Sequence, residues 1–124
     1  MRYAQTILYV ADVAAAVSFY ERAFGLSQGF AAPGGGYATL AGEGGELAFA
    51  SHDQAAQGVG DEARAAPAGF EIWIEAEDVP AAVERAVQAG AQLVAAPERK
   101  PWGQTVAYVR DPDGTLVEIG EPIG

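Results

Sequence analysis

A stretch near the start of the chain is repeated in the second half, 66 residues later. The first copy is Ile7–Val17 and the second is Trp73–Val83, so that Asp12 corresponds to Asp78. In each copy an apolar stretch predicts a strand, the aspartate predicts a helix N-cap, and alanine-rich sequence predicts a helix. An internal repeat of this kind predicts two structural modules of one design.

Each module is predicted to have the element order β-α-β-β-β. In the first module a helix runs from Val13 to a stop at Gly25, and the predicted strands are Thr6–Val10, Ser27–Ala31, Tyr37–Ala41 and Glu46–Ala50. Glycine-rich turns at Pro33–Gly36 and Gly42–Gly45 separate the last three of these strands.

The second module repeats this plan. Its helix runs from Val79 to a stop at Gly90, and its predicted strands are Phe70–Ala76, Gln92–Ala95, Thr105–Arg110 and Thr115–Gly120. Asp111-Pro112-Asp113-Gly114 predicts a tight turn between the last two strands.

The length of 124 residues is enough for one domain with a hydrophobic core. We expect a single α+β domain over residues 1–124, with module 1 in about 1–51 and module 2 in about 70–124. Residues 52–69 have no hydrophobic period and are interpreted as a connector with room for a short helical piece. The two modules together predict an open, cup-shaped mixed sheet with its helices outside.

Composition excludes several classes of function. The chain has no cysteine, which excludes disulfides, a thiolate nucleophile and Cys-ligated metal sites. Its net charge of −10 disfavours nucleic-acid partners. No apolar run approaches the ~20 residues needed to span a bilayer, and Met1–Gln5 shows no signal-peptide pattern. We therefore expect a cytoplasmic protein that contacts neither nucleic acid nor membrane.

Strand alternation predicts which side chains face the cup. If the wholly apolar side of each strand lies under the helices, four polar side chains face inward: Gln5, Glu46, Glu71 and Glu118. Aromatic side chains join them, with Tyr9, Trp73 and Tyr108 on the strands, and Phe30, Tyr37 and Trp102 at the rim. Aromatic walls with a few polar groups are typical of small-molecule pockets.

These features resemble the vicinal oxygen chelate superfamily. The resemblance covers essentially the whole chain. It lies in the strand–Asp–helix repeat, in Phe19-Tyr20 and Phe24-Gly25-Leu26 on and after the first helix, and in Tyr108–Gly114 followed by Leu116-Val117-Glu118. That superfamily includes glyoxalase I, extradiol dioxygenases, fosfomycin-modifying transferases and bleomycin-binding resistance proteins. The resemblance implies a ligand held in the cup, at a module or subunit interface.

The resemblance also implies where a metal would bind. Catalytic members hold a divalent metal with one residue from each of four strands, and Gln5, Glu46 and Glu118 match those positions. Glu71 stands where the family normally has histidine. The only histidine, His52, is expected in a surface loop away from these positions. An all-oxygen donor set of this kind would suit Mg²⁺, Mn²⁺ or Ca²⁺.

Two functional hypotheses remain from the sequence. The first is a metal-free homodimer, similar to the bleomycin-resistance branch, that needs no cofactor and sequesters a hydrophobic, aromatic or cationic natural product as a means of antibiotic resistance. Its ligand-binding residues would be Tyr9, Phe30, Tyr37, Trp73, Trp102, Tyr108, Gln5 and Glu71.

The alternative is a metal-dependent lyase, isomerase or transferase. There the metal, held by Gln5, Glu46, Glu71 and Glu118, would polarise the substrate, and Glu118 or Glu46 would move a proton. A domain that binds a small metabolite without any resistance role is a third interpretation. The missing histidines favour binding over catalysis.

Overall fold

The computed structural model describes residues 1–42 and 45–123. The chain divides into two compact units. The first unit contains Met1–Glu21 and Gly25–Ala65, and the second contains Arg22–Phe24 and Ala66–Gly124.

The first unit is an open four-stranded mixed sheet with helices. Its strands are β1 (Thr6–Val10), β2 (Ser27–Ala31), β3 (Tyr37–Ala41) and β4 (Leu47–Ser51), in the order β1-β4-β3-β2. Strand β1 pairs with β4 in parallel, and the other pairs are antiparallel. Its helices are α1 (Val13–Phe24, whose last three residues belong to the second unit), α2 (His52–Val59) and a short 3₁₀ helix (Gly60–Arg64).

Helix α1 begins and packs as the sequence predicts. The Asp12 carboxylate accepts a hydrogen bond from the Ala15 backbone N–H at 3.0 Å and so caps the helix. Gly25 ends it in the left-handed region, with φ of 71°. The fully buried Tyr20 ring lies 5.2 Å from the Phe49 ring of β4, which fixes the helix on the sheet.

The second unit repeats this arrangement. Its strands are β5 (Ile72–Glu75), β6 (Gln92–Arg99), β7 (Thr105–Arg110) and β8 (Leu116–Gly120), in the order β5-β8-β7-β6, with helix α3 (Val79–Gln88). Strand β5 pairs with β8 in parallel, and the remaining pairs are antiparallel. The same topology in both units confirms the predicted α+β fold of two β-α-β-β-β modules.

Helix α3 has the same N-terminal cap as α1, because Asp78 accepts a hydrogen bond from the Ala81 N–H at 3.1 Å. At its other end the Ala91 N–H donates to the Ala86 carbonyl, and Gly90 adopts a φ of 118°. The helix packs on β6, β7 and β8. Val117 and Ile119 are fully buried and form the core face of this sheet.

The turn between β7 and β8 depends on a buried aspartate. The Asp111 carboxylate accepts hydrogen bonds from the N–H groups of Asp113, at 3.0 Å, and Thr115, at 2.8 Å. The Gly114 N–H donates to the Asp111 carbonyl, and Gly114 has a φ of 92°. Because this turn sets the register of the last two strands, it also positions the polar residues on β8.

Several predicted boundaries need correction. Strand β4 begins at Leu47 and β5 at Ile72, so Glu46 and Glu71 each lie one residue before their strands. Strand β6 extends to Arg99, beyond the predicted end. The predicted Gly42–Gly45 turn includes residues 43 and 44, which lie outside the described residues.

The expected connector, residues 52–69, begins with helix α2, in which Ser51 is the N-cap and accepts a hydrogen bond from the Gln54 N–H. The prediction that His52 lies in a surface loop is wrong, because this cap makes it the first residue of the helix. Within residues 1–42 and 45–123, no helix has the length and apolar character needed to cross a membrane.

We expect the substitution Asp111→Ala to lower the free energy of unfolding by about 2–3 kcal/mol. It would leave the N–H groups of Asp113 and Thr115 without their carboxylate acceptor. Urea denaturation followed by circular dichroism measures the change. Glu21→Ala on the exposed face of α1 is the control and should change stability by less than about 0.5 kcal/mol. Equal effects of the two substitutions would contradict the role given to Asp111.

Candidate functional site

Three side chains form a row across the second sheet. Glu118 of β8 lies opposite Trp73 of β5 and opposite Tyr108 of β7 in the strand register. Residues paired in this way project from the same face of a sheet. This face is opposite the one occupied by Val117 and Ile119. We call Trp73, Glu118 and Tyr108 the central row.

Hydrogen bonds hold the central row in place. The Tyr108 hydroxyl donates to Glu118 Oε1 at 3.1 Å. The Trp73 indole N–H donates to the Gly120 carbonyl at 3.4 Å. The Trp73 side chain is 45% exposed, which is unusual for so large an apolar group. The row therefore offers an exposed indole beside a carboxylate whose position is fixed.

Gly120 leaves space that the neighbouring polar groups occupy. A Cβ atom on this residue would lie 3.0 Å from Trp73 Nε1, 3.1 Å from Gln104 Nε2 and 3.3 Å from Glu118 Oε2. Three polar side chains thus converge above a residue that has no side chain of its own. Any larger residue here would have to displace at least one of them.

Desolvation and nearby negative charge raise the pKa of two groups at the site. The pKa of Glu71 is raised, first by desolvation, then by the charge of Glu118 and by a hydrogen bond with it. The pKa of Tyr108 is raised by desolvation, by its hydrogen bond to Glu118, and by the charges of Glu118 and Glu71. Glu71 therefore takes up a proton at a higher pH than an ordinary glutamate does.

The predicted residues of the first unit form a separate cluster. The Gln5 side-chain amide donates to Glu46 Oε1, and the Tyr37 hydroxyl donates to Gln5 Oε1 at 2.6 Å. The Phe30 ring lies 6.3 Å from the Tyr37 ring. Tyr9 is partly exposed and, like Tyr37, lies opposite Ala50 in the register. The structure thus brings the predicted residues of this unit onto one sheet face.

Trp102 lies apart from the central row, in the turn between β6 and β7. Its indole N–H donates to Gln104 Oε1 at 2.8 Å. Sequence reasoning placed Trp102 at the rim but did not identify Gln104, which is 7% exposed. No strand or helix period covers position 104, so no pattern could have shown that this side chain turns inward.

The strand register also shows which positions of the two units are equivalent. Trp73–Glu118–Tyr108 corresponds to Ile7–Ala48–Thr39 in the first unit. The offset is 66 residues between β1 and β5, from 73 − 7, and 70 residues between β4 and β8, from 118 − 48. The position equivalent to Glu118 is therefore Ala48 and not Glu46. The first unit carries no carboxylate at the centre of its sheet.

A divalent metal, as implied by the sequence resemblance, would need oxygen donors that converge. In the described part of the chain, no group of three or more His, Cys, Asp or Glu side chains could hold a metal ion. Within the first unit, Gln5 and Glu46 already bond to each other. Glu71 and Glu118 form a second pair. Neither pair alone provides the coordination that Mg²⁺ or Ca²⁺ prefers. The four-residue ligand set stays a prediction.

Residues 2–119 match the model of the Glyoxalase/Bleomycin resistance protein/Dioxygenase superfamily. No curated protein sequence matches the chain significantly.

Solved structures give the same result. A glyoxalase-related enzyme from Fulvimarina pelagi is 30% identical, with a TM-score of 0.83, and the match covers 100% of this chain and 93% of that one. TioX from Micromonospora sp. ML1 is 25% identical, with a TM-score of 0.74 and coverage of 99% and 100%. A lactoylglutathione lyase from Agrobacterium tumefaciens is 25% identical, with a TM-score of 0.70 and coverage of 97% and 92%.

The family model spans nearly the whole chain, and the repeated four-stranded units agree with the architecture expected from the sequence. The chain belongs to the Glyoxalase/Bleomycin resistance protein/Dioxygenase superfamily.

Proposed function

We propose that this protein binds a small hydrophobic, aromatic or cationic natural product on the central row and sequesters it without using a metal. Sequestration of a toxic compound of this kind would give antibiotic resistance. The observation that carries the proposal is the arrangement of Trp73, Glu118 and Tyr108 side by side on one sheet face.

Each member of the row supplies one part of recognition. The exposed indole of Trp73 offers a flat apolar surface on which a planar ring can stack. The Glu118 carboxylate, held by the Tyr108 hydroxyl, offers a fixed negative charge to a cationic substituent. Such a combination recognises an aromatic cation better than a neutral or anionic compound.

The overall charge supports the same class of ligand. A net charge of −10 attracts cations through long-range electrostatics and increases their association rate at low salt. Within the first unit, Tyr9, Phe30 and Tyr37 form an aromatic surface of their own beside the amide of Gln5.

The proposed form of the protein is a cytoplasmic homodimer, since two-fold dimers are the commonest oligomers of soluble proteins. Size-exclusion chromatography with light scattering should give twice the chain mass of 12.8 kDa. A mass of one chain at micromolar concentration would contradict this part of the proposal.

A metal-dependent lyase, isomerase or transferase is the second candidate. Two of the similar structures favour it, since one is described as a glyoxalase-related enzyme and another as a lactoylglutathione lyase. In that case Glu118 would be the proton carrier, because the Tyr108 hydroxyl orients it and Glu71 lies close to it. Glu46 is the weaker choice, since it is already bonded to Gln5.

Titration with aromatic cationic antibiotics should give a saturable change in Trp73 fluorescence. A Trp102→Phe background makes Trp73 the only tryptophan that emits. Glu118→Gln should weaken binding about tenfold, because it removes the charge of a contact that contributes about 1.5 kcal/mol or more. The glutamine keeps an oxygen that can accept the Tyr108 hydroxyl, so the shape of the site is preserved.

Glu46→Gln is the matched control for Glu118→Gln, since it makes the same change in the other unit. It should leave the affinity for the antibiotics nearly unchanged. Protein purified without chelator should contain no stoichiometric Mg²⁺, Mn²⁺ or Ca²⁺ by elemental analysis. Tight metal uptake that Glu118→Gln abolishes, with no saturable fluorescence response, would support the enzyme and overturn the binding proposal.

The affinity for an aromatic cation should depend on pH through Glu71. The pKa of Glu71 is raised, so falling pH neutralises this carboxylate before ordinary glutamates protonate. A ligand with a permanent charge, such as N-methylquinolinium, should therefore bind less tightly as the pH falls through that raised pKa. Isothermal titration calorimetry at a series of pH values measures the effect.

Glu71→Gln should abolish the loss of affinity that comes from protonation of Glu71. Any remaining loss should occur at lower pH. Glu84→Gln, on the exposed side of α3, is the control and should reproduce the unmodified profile. If the Glu71→Gln profile also coincides with the unmodified one, Glu71 does not contribute to the binding site.

A further inference from the structure

The second unit contains a pocket that the central row does not use. It has a volume of about 380 Å³, and the side chains that matter for its chemistry are Glu77, Trp102, Gln104, Glu121 and Ile123. This volume lies within the range typical of small-molecule sites. The pocket shares no lining side chain with Trp73, Glu118 and Tyr108.

Hydrogen bonds fix one wall of this pocket. Gln104 accepts from the Trp102 indole N–H at 2.8 Å and donates from Nε2 to the Glu121 carbonyl at 2.7 Å. Gln104 is 7% exposed, so water does not compete strongly for either bond. The Trp102 side chain is 66% exposed even though its N–H is satisfied. The indole is therefore held in place while most of its surface is open to a ligand.

The charges at the pocket have one sign. Glu77 and Glu121 are both acidic, and none of the lining residues is basic. One oxygen of Glu121 accepts the Thr105 N–H at 2.5 Å, which fixes the direction of the carboxylate. The two ion pairs found among the described residues, Arg64–Asp53 and Lys100–Glu98, involve neither of these glutamates.

We propose that this pocket is a second binding site, and that it takes an organic ammonium ion carried on an apolar body. The apolar body would pack against the Trp102 indole and Ile123, and the ammonium would face the carboxylates of Glu77 and Glu121. An indole beside carboxylates favours a cation through both the ring quadrupole and the opposite charges. An anion of the same shape is repelled by both glutamates.

The pocket and the central row have different side chains, and Trp102 is the one residue of the pocket that the sequence predicted to bind a ligand. The two sites approach each other at one point, where Gln104 Nε2 lies 3.1 Å from the position that a Cβ of Gly120 would take. Gln104 belongs to the pocket wall, whereas Gly120 lies beneath Trp73. A compound with an aromatic group and an amine on a short linker could engage both sites, which would raise its affinity.

Benzylamine and benzyl alcohol are suitable probes, since they have similar size and only the amine is charged at neutral pH. Two-dimensional ¹⁵N–¹H NMR of the full chain follows binding through the side-chain amide of Gln104 and the indole N–H of Trp102. We expect benzylamine to shift both signals in a saturable manner and benzyl alcohol to shift them at least about fivefold more weakly. The benzylamine affinity should fall as salt is added, because exposed charges are screened.

Three substitutions test whether benzylamine binding depends on the carboxylates of the pocket. Glu77→Gln and Glu121→Gln should each weaken benzylamine binding about two- to fivefold, the range expected for an exposed charge pair. Glu121→Gln retains an oxygen that can accept the Thr105 N–H, so the fold is preserved. Glu84→Gln, on the exposed side of α3, is the control and should leave the benzylamine-induced shifts of Gln104 and Trp102 unchanged.

Equal binding of benzylamine and benzyl alcohol would overturn the pocket proposal, because recognition would not depend on charge. Loss of the shifts in Glu118→Gln but not in Glu77→Gln or Glu121→Gln would also overturn it, since the amine would then bind to the central row. In that second case the proposed function stands. If antibiotic binding to the row fails while benzylamine still depends on Glu77 and Glu121, the pocket proposal stands alone.

Discussion

Parallel pairing between the first and last strands of each unit brings the polar residues of those strands together. Because β5 runs beside β8 in the same direction, Trp73 meets Glu118, and the antiparallel β7 then places Tyr108 on the other side of that glutamate. The residues just before the paired strands are brought together in the same way, as Gln5 and Glu46 show in the first unit. If β8 slipped by one residue, Glu118 would turn into the core and Val117 or Ile119 would take its place.

Sequence periodicity and the internal repeat were sufficient to predict the fold. Asp12 and Asp78 cap the helices as expected, and alternation assigned Val117 and Ile119 to the core and Glu118 to the opposite face. These features depend on local chemistry and on burial, which leave clear patterns in a single chain.

The pairing of site residues was harder to predict. A constant offset of 66 makes Gln5 equivalent to Glu71 but cannot be extended to the last strands, because the interval from Trp73 to Glu118 is 45 residues and that from Ile7 to Ala48 is 41. Three of the four extra residues lie before Tyr108, where β6 is longer and bulges change its register, and the fourth lies between Tyr108 and Glu118. Gln104 could not be identified, because its position depends on contacts of a turn and not on a period.

Each unit has a polar pair at the start of its first strand, but the two pairs differ in charge. In the first unit an uncharged amide, Gln5, lies beside Glu46 and donates a hydrogen bond to it, so no repulsion arises. In the second unit Glu71 lies beside Glu118, and the raised pKa of Glu71 means that a proton can take the place of the amide hydrogen. The second pair therefore gains a proton at a higher pH than an ordinary glutamate would.

Gly120 leaves a space beside the central row that the methyl group of an alanine would fill. Its φ lies outside the left-handed region, so an alanine would not strain the backbone, and the nearest atoms that its Cβ would meet belong to three polar side chains. Glycine and alanine codons differ by one base, and the fully buried core residues lie on the other face of the sheet. Under the proposed function, one mutation at Gly120 would therefore alter the ligand-binding face without changing the core residues on the opposite face.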